Sequence, residues 1–333
     1  MSLDFDSARL ANPHFTEEHD AWRGALRRFI DTEIMPFADE WDEAGAIPSE
    51  LWPKAAEVGL LGLGYPEQFG GTSADSWHSW IVNEELSRVG VGGISASLMV
   101  HGIGLPPVIN WGPEWMQAEV APPVLNGEKW ISLGITEPGG GSDVANLSTT
   151  AVRDGDHFVV SGSKTYITGG MRANWVSTAV RTGGSGAGGV SMLLIPTDAE
   201  GFSRTPLDRK MGWWASDTAT LYFDEVRVPV ANLIGAENEG FRVIMTNFNS
   251  ERMGMAAAME AYGRVCLEEA VAWATERKTF GKRLADHQVI RHKIAQMKQQ
   301  LNATQAYIRL CYESIEAGTP NPGDIALLKV QAS

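Results

Sequence analysis

The most informative stretch of the chain reads Ile135-Thr136-Glu137-Pro138-Gly139-Gly140-Gly141-Ser142-Asp143. It follows a strand-like run over residues 130–135 and brings a Thr hydroxyl, a stiffening Pro and three consecutive glycines together. Consecutive glycines leave backbone N–H groups unshielded, so the main chain can approach a phosphate or a flat ring and donate hydrogen bonds to it. An ordinary glycine-rich surface loop has the same composition. Other parts of the chain must therefore decide between a cofactor site and a plain loop.

Length, charge and cysteine content limit the class of protein. The chain has 333 residues, enough for roughly two domains of ordinary size. Its formal net charge of −14 disfavours binding to nucleic acid or to a membrane surface, because both need a basic face. The two cysteines lie in helix-like segments, and no run of about 18 apolar residues or basic, apolar leader is present. These features predict a cytoplasmic protein.

Periodicity predicts an α+β protein with three consecutive domains. Residues 1–128 have helical patterns, with Thr16 as the first cap and a further helix over 75–89. Residues 129–236 change to short runs rich in Val, Ile, Thr and Tyr, which predict a β domain. Residues 237–333 return to helical patterns.

Helix signals predict an incomplete helical bundle at the carboxyl end. One long helix is expected from residue 240 to about Phe280, with Gly281 as its stop, and a second from Asp286 to about residue 317. A third is expected to begin near Pro322. The second helix carries an apolar stripe, which is typical of a bundle seam. Because this bundle would expose an apolar face, we expect further chain or a partner to cover it.

The β domain contains a short tight-turn signal and a second candidate motif. The run Arg153-Asp154-Gly155-Asp156 lies between two strand-like runs and predicts a hairpin. The motif reads Lys164-Thr165-Tyr166-Ile167-Thr168-Gly169-Gly170. In a regular strand, Tyr166 and Thr168 would share one face. An aromatic ring beside a hydroxyl suits the edge of a flat redox ring, although many ordinary strands present such a face.

The long helix carries a carboxylate within an apolar stripe. Helical spacing places Glu251 in line with Phe241, Ile244, Phe248, Met255, Met259 and Tyr262. A carboxylate in such surroundings should be partly desolvated, which raises its pKa and makes it a candidate proton acceptor near neutral pH. Alternatively, the adjacent Arg252 or a salt bridge across the bundle holds Glu251 in a structural role.

Several common sites are not predicted. His287 and His292 are five residues apart, so a helix would point them in different directions and they are no metal-binding pair. No strand is followed by a GxGxxG run and a helix, so a dinucleotide would not be held in the Rossmann manner. We therefore predict no metal site.

Four motifs together resemble the acyl-CoA dehydrogenase family. They are the stretch at 135–143, Tyr-Ile-Thr-Gly at 166–169, Ser-Asp-Thr at 216–218 before Phe-Asp-Glu-Val-Arg-Val-Pro at 223–229, and Glu-Arg-Lys-Thr-Phe-Gly-Lys at 276–282. They occur in the family's order and spacing along the whole chain. The resemblance implies a helical domain, a central β-barrel domain and a carboxyl-terminal four-helix bundle. It also implies a homotetramer, or dimer of dimers, with FAD between domains and subunits.

The resemblance also implies roles for individual residues. Contacts to FAD within one subunit are implied for Thr136, Gly141, Ser142, Tyr166 and Thr168, with Thr168 near flavin N5 and Ser142 at the phosphates. Contacts to the FAD of a neighbouring subunit are implied for Arg277, Thr279, Phe280 and Gln288. Contacts to the acyl-CoA substrate are implied for Ser142, Asn249 and Arg252.

The reaction implied is the FAD-dependent α,β-dehydrogenation of an acyl-CoA thioester to the trans-2-enoyl-CoA, as in fatty acid β-oxidation. Electrons would pass to an electron-transferring flavoprotein. Members similar to isovaleryl-CoA and long-chain enzymes carry the catalytic base where Glu251 stands, followed by Arg as in Arg252. Other members carry it late in the bundle, so a carboxylate beyond Ser333 is the competing candidate.

Other functions are compatible with the same resemblance. An acyl-CoA oxidase or a flavin monooxygenase would share the fold, and so would a catalytically silent paralogue. For the dehydrogenase, the segment 98–105 is expected to line the far end of the acyl cavity. Its Gly102 and Gly104 would leave room for a medium or branched chain.

Overall fold

The fold is described from a computed structural model that covers residues 3–208 and 210–333. Helices α1 to α11 span Glu17–Glu33, Ala38–Ala44, Leu51–Glu57, Ser76–Ser87, Gly92–Leu98, His101–Gly104, Pro106–Trp111, Glu114–Leu125, Gly240–Glu276, Gln288–Glu316 and Pro322–Ala332. Strands β1 to β10 span Ile131–Gly134, Thr150–Asp154, His157–Thr168, Trp175–Arg181, Val190–Pro196, Phe202–Pro206, Thr218–Pro229, Leu233–Ile234, Lys278–Thr279 and Lys282–Arg283.

The chain divides into two compact units. The mixed unit, as we call it, combines Pro36–Ser73 with Val91–Phe248. The helical unit combines the chain up to Met35 with Ala74–Gly90 and Asn249–Ser333. The division falls inside α9, and it joins the beginning and the end of the chain in one unit. The exact bounds expected from the sequence, 1–128, 129–236 and 237–333, stay a prediction, because this division groups segments by contact rather than by chain order.

A single sheet forms the centre of the mixed unit. Among the described residues its strand order is β6-β7-β3-β2-β4-β5-β8, with β1 pairing in parallel with β4. The long strands β3 and β7 pair antiparallel, with register shifts between Val160 and Gly162 and between Lys164 and Ile167. The hairpin predicted around Gly155 joins β2 to β3, and this glycine has a φ of 64°. The β character of residues 130–234 follows from alternating apolar side chains, which pack on one side into a core that includes Phe158, Leu221 and Val228.

Short helices cover another part of the sheet. A second apolar core joins residues of α7 and α8, such as Val108 and Val120, to Ile131 of β1 and Met192 of β5. The first turns of α9 pack into the same core through Ile244 and its neighbours. Among the described residues, no single helix has the length and apolar character needed to cross a membrane. The bent pair Gly92–Leu98 and His101–Trp111 would pass by length and composition only.

The helical unit is held by aromatic packing. Its core combines Trp77 and Trp80 of α4 with Met253 of α9 and Tyr312 of α10. The rings of Trp80 and Tyr312 stack, with centroids 5.3 Å apart and planes 10° from parallel. Such stacked pairs add to the free energy gained by burying their surface. Trp77 and Trp80 therefore serve core packing in this unit.

The predicted starts of α1 and α4 are right, whereas α4 ends at Ser87, two residues before the predicted 89, and the predicted end of α9 is wrong. Thr16 caps α1, and Asp75 caps α4 by accepting a hydrogen bond from the backbone N–H of His78. Helix α9 ends at Glu276, four residues before Phe280, because the chain turns into the hairpin β9–β10. Helix α10 begins at Gln288 after a cap at His287, so Asp286 is not its N-cap.

Candidate active site

The stretch 135–143 forms an exposed turn in the mixed unit, which we call the glycine turn. Residues 138–143 are all exposed, whereas Glu137 is buried. The backbone N–H of Glu137 donates to the oxygen of Gly140, and that of Gly140 donates back to Glu137, both at 3.0 Å. A Cβ at Gly141 would come within 3.3 Å of the Thr136 methyl group, so the turn folds back over Thr136. The turn thus presents bare backbone outward while one end is fixed.

Glu137 anchors the turn through a set of contacts that the sequence patterns did not reveal. One carboxylate oxygen accepts from Lys164 Nζ and from the backbone N–H of Thr149, both at 2.8 Å. The other accepts from the backbone N–H and the hydroxyl of Ser148, both at 2.6 Å. Burial alone would raise the pKa of Glu137, but the hydrogen bonds from Lys164, Ser148 and Thr149 outweigh it and lower this pKa to about 2. The carboxylate is therefore ionised and fully bonded.

The glycine turn runs beside the end of β3. The Nζ of Lys164 also donates to the oxygen of Ile135 at 3.2 Å, and the backbone N–H of Thr165 donates to the oxygen of Thr136 at 2.9 Å. Farther along, the hydroxyl of Ser132 donates to the oxygen of Thr168 at 2.8 Å. These bonds hold Thr136 and Thr168, two of the predicted flavin contacts, on adjacent stretches of main chain.

Tyr166 departs from the regular strand that the sequence predicted. The register between β3 and β7 slips by one residue between Lys164 and Ile167, and Tyr166 has a φ of 59°. The slip and the left-handed φ interrupt the regular strand, but burial still alternates: Tyr166 is exposed, Ile167 is buried and Thr168 is half-buried, as the predicted common face of Tyr166 and Thr168 requires. A β-bulge redirects a side chain, and a left-handed φ in a bulky residue is a strain that tends to mark functional sites. The Tyr166 side chain is 65% exposed.

The turn after Thr168 is fixed by the Ser-Asp-Thr motif. The backbone oxygen of Asp217 accepts from the N–H of Gly169 at 2.9 Å. Its carboxylate accepts from the N–H of Met171 at 3.0 Å and from Nε of Arg172 at 2.8 Å. Asp217 therefore supports the main chain next to Thr168.

In the helical unit, Glu251 occupies a half-buried position on α9. Burial raises the pKa of Glu251 to about 7, and the positive charge of Arg252 opposes only part of this shift. Arg252 donates through Nη1 to Oδ1 of Asn249 at 3.1 Å, so the three predicted base and substrate residues lie within one turn of helix. The predicted stripe is wrong beyond Glu251, because Met255 is 44% exposed and the buried face passes through Met253, Ala256 and Ala257 instead.

A second carboxylate of α9 has the structural role that was considered for Glu251. Glu260 is buried and accepts from Nε of Arg264 at 3.1 Å. Arg264 in turn donates to Glu84 at 2.6 Å, and Glu84 also accepts from Arg23 at 2.7 Å. Burial raises the pKa of Glu260 to about 7 as well. Nine residues separate it from Glu251, which places the two carboxylates on opposite faces of the helix.

The predicted neighbour-subunit contacts gather at the hairpin β9–β10. Phe280 and Gly281 form its two-residue turn with φ values of 50° and 77°, which is the type I′ geometry. The Phe280 side chain is 96% exposed. Thr279 is within hydrogen-bond distance of His287, its hydroxyl 3.3 Å from Nε2, while Arg277 and Gln288 are exposed on either side. Phe280 is thus held outward at the tip of a short, defined element.

The segment expected to line the acyl cavity is only partly open. A Cβ at Gly104 would lie 2.8 Å from the oxygen of Ile131, so this glycine allows α6 to approach β1. A Cβ at Gly102 would meet no atom within 4 Å. His101 is buried and bonds through Nε2 to the oxygen of Leu61 at 3.0 Å, and burial lowers its pKa to about 4. His101 is therefore a neutral packing residue.

One cluster in the described residues has the composition of a metal site. His19, Asp75 and His78 bring their ligand atoms within 4.8 Å of one another. However, Nδ1 of His19 accepts from the backbone N–H of Thr16 at 3.0 Å, so its Nε2 carries the proton that Asp75 accepts at 3.1 Å. The cluster is a hydrogen-bonded link between two helix caps.

Comparisons with known proteins match most of the chain. Three family profiles apply: acyl-CoA dehydrogenase N-terminal domain over residues 16–128, middle domain over 132–226 and C-terminal domain over 238–333. The mitochondrial long-chain specific acyl-CoA dehydrogenase of Sus scrofa is 33% identical over 96% of this chain and 75% of its own length.

Solved structures give the same result for the fold. A probable acyl-CoA dehydrogenase from Mycobacterium abscessus superposes with a TM-score of 0.92 and 46% identity, over 95% of this chain and 85% of the other. A glutaryl-CoA dehydrogenase from Mycobacterium smegmatis, in complex with FADH2, gives a TM-score of 0.89 and 26% identity, over 96% of this chain and 81% of the other. The predicted order of domains along the chain, helical, then β, then helical again, is confirmed.

Proposed function

Because the chain belongs to the acyl-CoA dehydrogenase family, we propose that it converts an acyl-CoA thioester to the trans-2-enoyl-CoA with Glu251 as the catalytic base. The observation that carries this proposal is the half-buried position of Glu251, where burial raises its pKa to about 7. When the pKa of a base lies near the working pH, a large fraction of the base is ionised and ready to accept a proton. Its affinity for that proton is also high enough to drive the transfer. Glu251 takes the proton from Cα of the substrate.

The neighbours of Glu251 fit the other requirements of this step. The Cα proton of a thioester is weakly acidic, so the reaction needs donors near the thioester oxygen and a site with little water. Arg252 and Asn249, one donating to the other, are placed to orient the acyl-CoA beside the base. Ser142, which is exposed in the glycine turn, is the third proposed substrate contact.

We propose FAD as the cofactor, held in the mixed unit by the glycine turn and the end of β3. The exposed backbone at Gly139 and Gly140 has no atom within 4 Å of an added Cβ, as a phosphate-binding turn requires. Thr136, Gly141, Ser142 and Thr168 would hold the ring edge and phosphates, with the redirected ring of Tyr166 packing on the flavin. When bound, FAD supplies the acceptor for the hydride that leaves Cβ.

The hairpin β9–β10 supports a homotetramer in which subunits share cofactor sites. Phe280 has a left-handed φ and is almost fully exposed, and within its own chain its ring meets that of His287 edge-on, with centroids 6.3 Å apart. We propose that Phe280, with Arg277, Thr279 and Gln288, contacts the FAD of a neighbouring subunit. Arginine is suited to this contact because its guanidinium can donate two hydrogen bonds to one phosphate.

The physiological setting is part of the same proposal. Electrons would leave to an electron-transferring flavoprotein, and the reaction would serve fatty acid β-oxidation in the cytoplasm. Support for this setting comes from membership of the family.

The direct test is anaerobic titration of the purified holoprotein with acyl-CoA thioesters of different chain length and branching. We expect the yellow flavin absorbance to be bleached by at least one thioester and restored by an electron-transferring flavoprotein. Rapid release of hydrogen peroxide in air would show an oxidase instead. A colourless protein that takes up no FAD would show the catalytically silent alternative.

A further inference from the structure

The glycine turn is anchored at its buried residue Glu137, which lies outside the proposed chemistry. Three of the six exposed residues 138–143 are glycines, which contribute no side chain that could fasten the turn. Glycine also loses more conformational freedom on ordering than any other residue. A turn of this composition needs an external support if it is to meet a ligand in one conformation.

The Glu137 carboxylate supplies that support from two directions. It accepts two hydrogen bonds from Ser148 and one from the N–H of Thr149, just before β2. It accepts a fourth from Lys164 of β3. Both Glu137 and Lys164 are buried, so water competes weakly for these bonds.

Lys164 fixes the other side of Thr136. Its Nζ lies 2.8 Å from the Glu137 carboxylate and 3.2 Å from the oxygen of Ile135, so it holds the residues before and after Thr136 at once. The N–H of Thr165 holds Thr136 itself through its oxygen. The first three residues of the glycine turn, 135–137, are therefore hydrogen-bonded to Lys164 and Thr165, two consecutive residues of β3.

We propose that Glu137 and Lys164 are a positioning pair, which orders Thr136 and the glycine turn before the flavin cofactor arrives. The inference rests on the proposed use of FAD and adds a role for two residues that need not touch it. Preorganisation strengthens binding because the free energy of ordering the turn is spent in folding and not in association. Loss of the pair should thus weaken FAD binding more than it weakens the fold.

The opposing explanation is that the pair only stabilises the mixed unit. The two roles differ in how FAD changes the melting temperature. A ligand raises the melting temperature according to its affinity for the folded state. A purely structural pair would lower the melting temperature with and without added FAD by equal amounts, whereas a positioning pair would also shrink the rise that FAD produces.

The experiment compares Glu137→Gln, Lys164→Met and the double variant with the wild-type holoprotein. Glu137→Gln keeps the shape and removes the charge. We expect FAD to be released about 10–100-fold faster from each single variant on dilution, the range that follows from losing charged hydrogen bonds. The double variant should be no worse than the single ones, because the two residues act as a unit. The rise in melting temperature on adding FAD should shrink in all three.

Matched variants keep the outcome interpretable. Glu260→Gln removes a buried, arginine-bonded carboxylate of the helical unit, and it should leave FAD release unchanged. Ser148→Ala deletes one hydroxyl that donates to Glu137, and it should speed FAD release several-fold in the same direction if Glu137→Gln fails to fold.

Two results separate this inference from the proposed function. A wild-type protein that binds no FAD, or whose flavin no acyl-CoA reduces, would overturn the proposed function. A wild-type protein that behaves as expected, with Glu137→Gln or Ser148→Ala releasing FAD at the wild-type rate, would overturn the positioning role alone.

Discussion

At the scale of single residues, Glu251 and Glu260 of α9 differ in their hydrogen-bonding partners, and this difference suggests a different role for each. Burial raises the pKa of both Glu251 and Glu260 to about 7. Glu260 is bonded to Arg264 within a buried network, whereas Arg252, the neighbour of Glu251, donates to Asn249. The raised pKa therefore does not identify a base by itself. The proposal for Glu251 rests in addition on its position beside Asn249 and Arg252, the proposed substrate contacts.

The pH dependence of activity should report Glu251. The base must be ionised to take the Cα proton, so activity should rise with pH through about 7 and level off above it. Measurement of kcat/KM for the best acyl-CoA between about pH 5.5 and 9 checks this, since kcat/KM reports groups of the free enzyme. A rate that is flat across this range would assign the base to another group.

The pH dependence of stability should run in the opposite direction. The folded pKa of Glu260 is raised, so the folded state binds more protons than the unfolded state between its ordinary pKa of 4.5 and about 7. This contribution to stability is complete below 4.5 and is lost as pH rises through about 7. We expect the wild-type melting temperature to fall over this interval more steeply than that of Glu260→Gln. Equal slopes in thermal unfolding would contradict the assignment.

At the scale of elements, sequence patterns predicted the features that depend on adjacent residues, and they missed those that depend on distant ones. The cap at Thr16 and the hairpin at Gly155 depend on a few adjacent residues, and they form as expected. The bulge at Tyr166 depends on pairing with β7, about fifty residues later, so no local pattern could reveal it. The hairpin at Phe280 was missed because an aromatic residue rarely adopts a left-handed φ.

Phe280→Asn should separate folding from cofactor retention. Asparagine adopts a left-handed φ readily and favours type I′ turns, so the melting temperature of the FAD-free protein should stay the same or rise. Loss of the ring should lower the FAD retained per chain several-fold if it contacts a neighbouring subunit's cofactor. Val152→Asn, at another exposed apolar position, serves as the control. Full FAD retention by Phe280→Asn would remove the proposed contact.

At the scale of the whole molecule, the compact units follow contacts that join distant parts of the chain. Residues of α4 share one core with residues of α9, α10 and α11, although more than 150 residues separate α4 from α9. Sequence periodicity orders elements along the chain, so it predicted the helical, β and helical domains in their correct order but not which distant segments pack together. The anchor of the glycine turn was missed for the same reason, because Glu137 and Lys164 are 27 residues apart.

The assembly state gives a prediction at this scale. None of residues 288–303 at the start of α10 is buried, although Ile290, Ile294, Met297 and Leu301 form an apolar stripe there. An apolar stripe of this kind is typical of a surface that another copy covers. We expect light scattering after gel filtration to give four times the mass of one chain. A monomer that retains FAD would contradict the proposed tetramer.

The most direct measurement is the rate at which acyl-CoA bleaches the flavin of Glu251→Gln under anaerobic conditions, with Glu260→Gln as the matched control on the opposite helix face. We predict that both variants retain FAD, that Glu260→Gln is bleached at about the wild-type rate, and that Glu251→Gln is slowed about 100- to 10,000-fold, the range for loss of a general base. Bleaching of Glu251→Gln at the wild-type rate would contradict the assignment of Glu251 as the base.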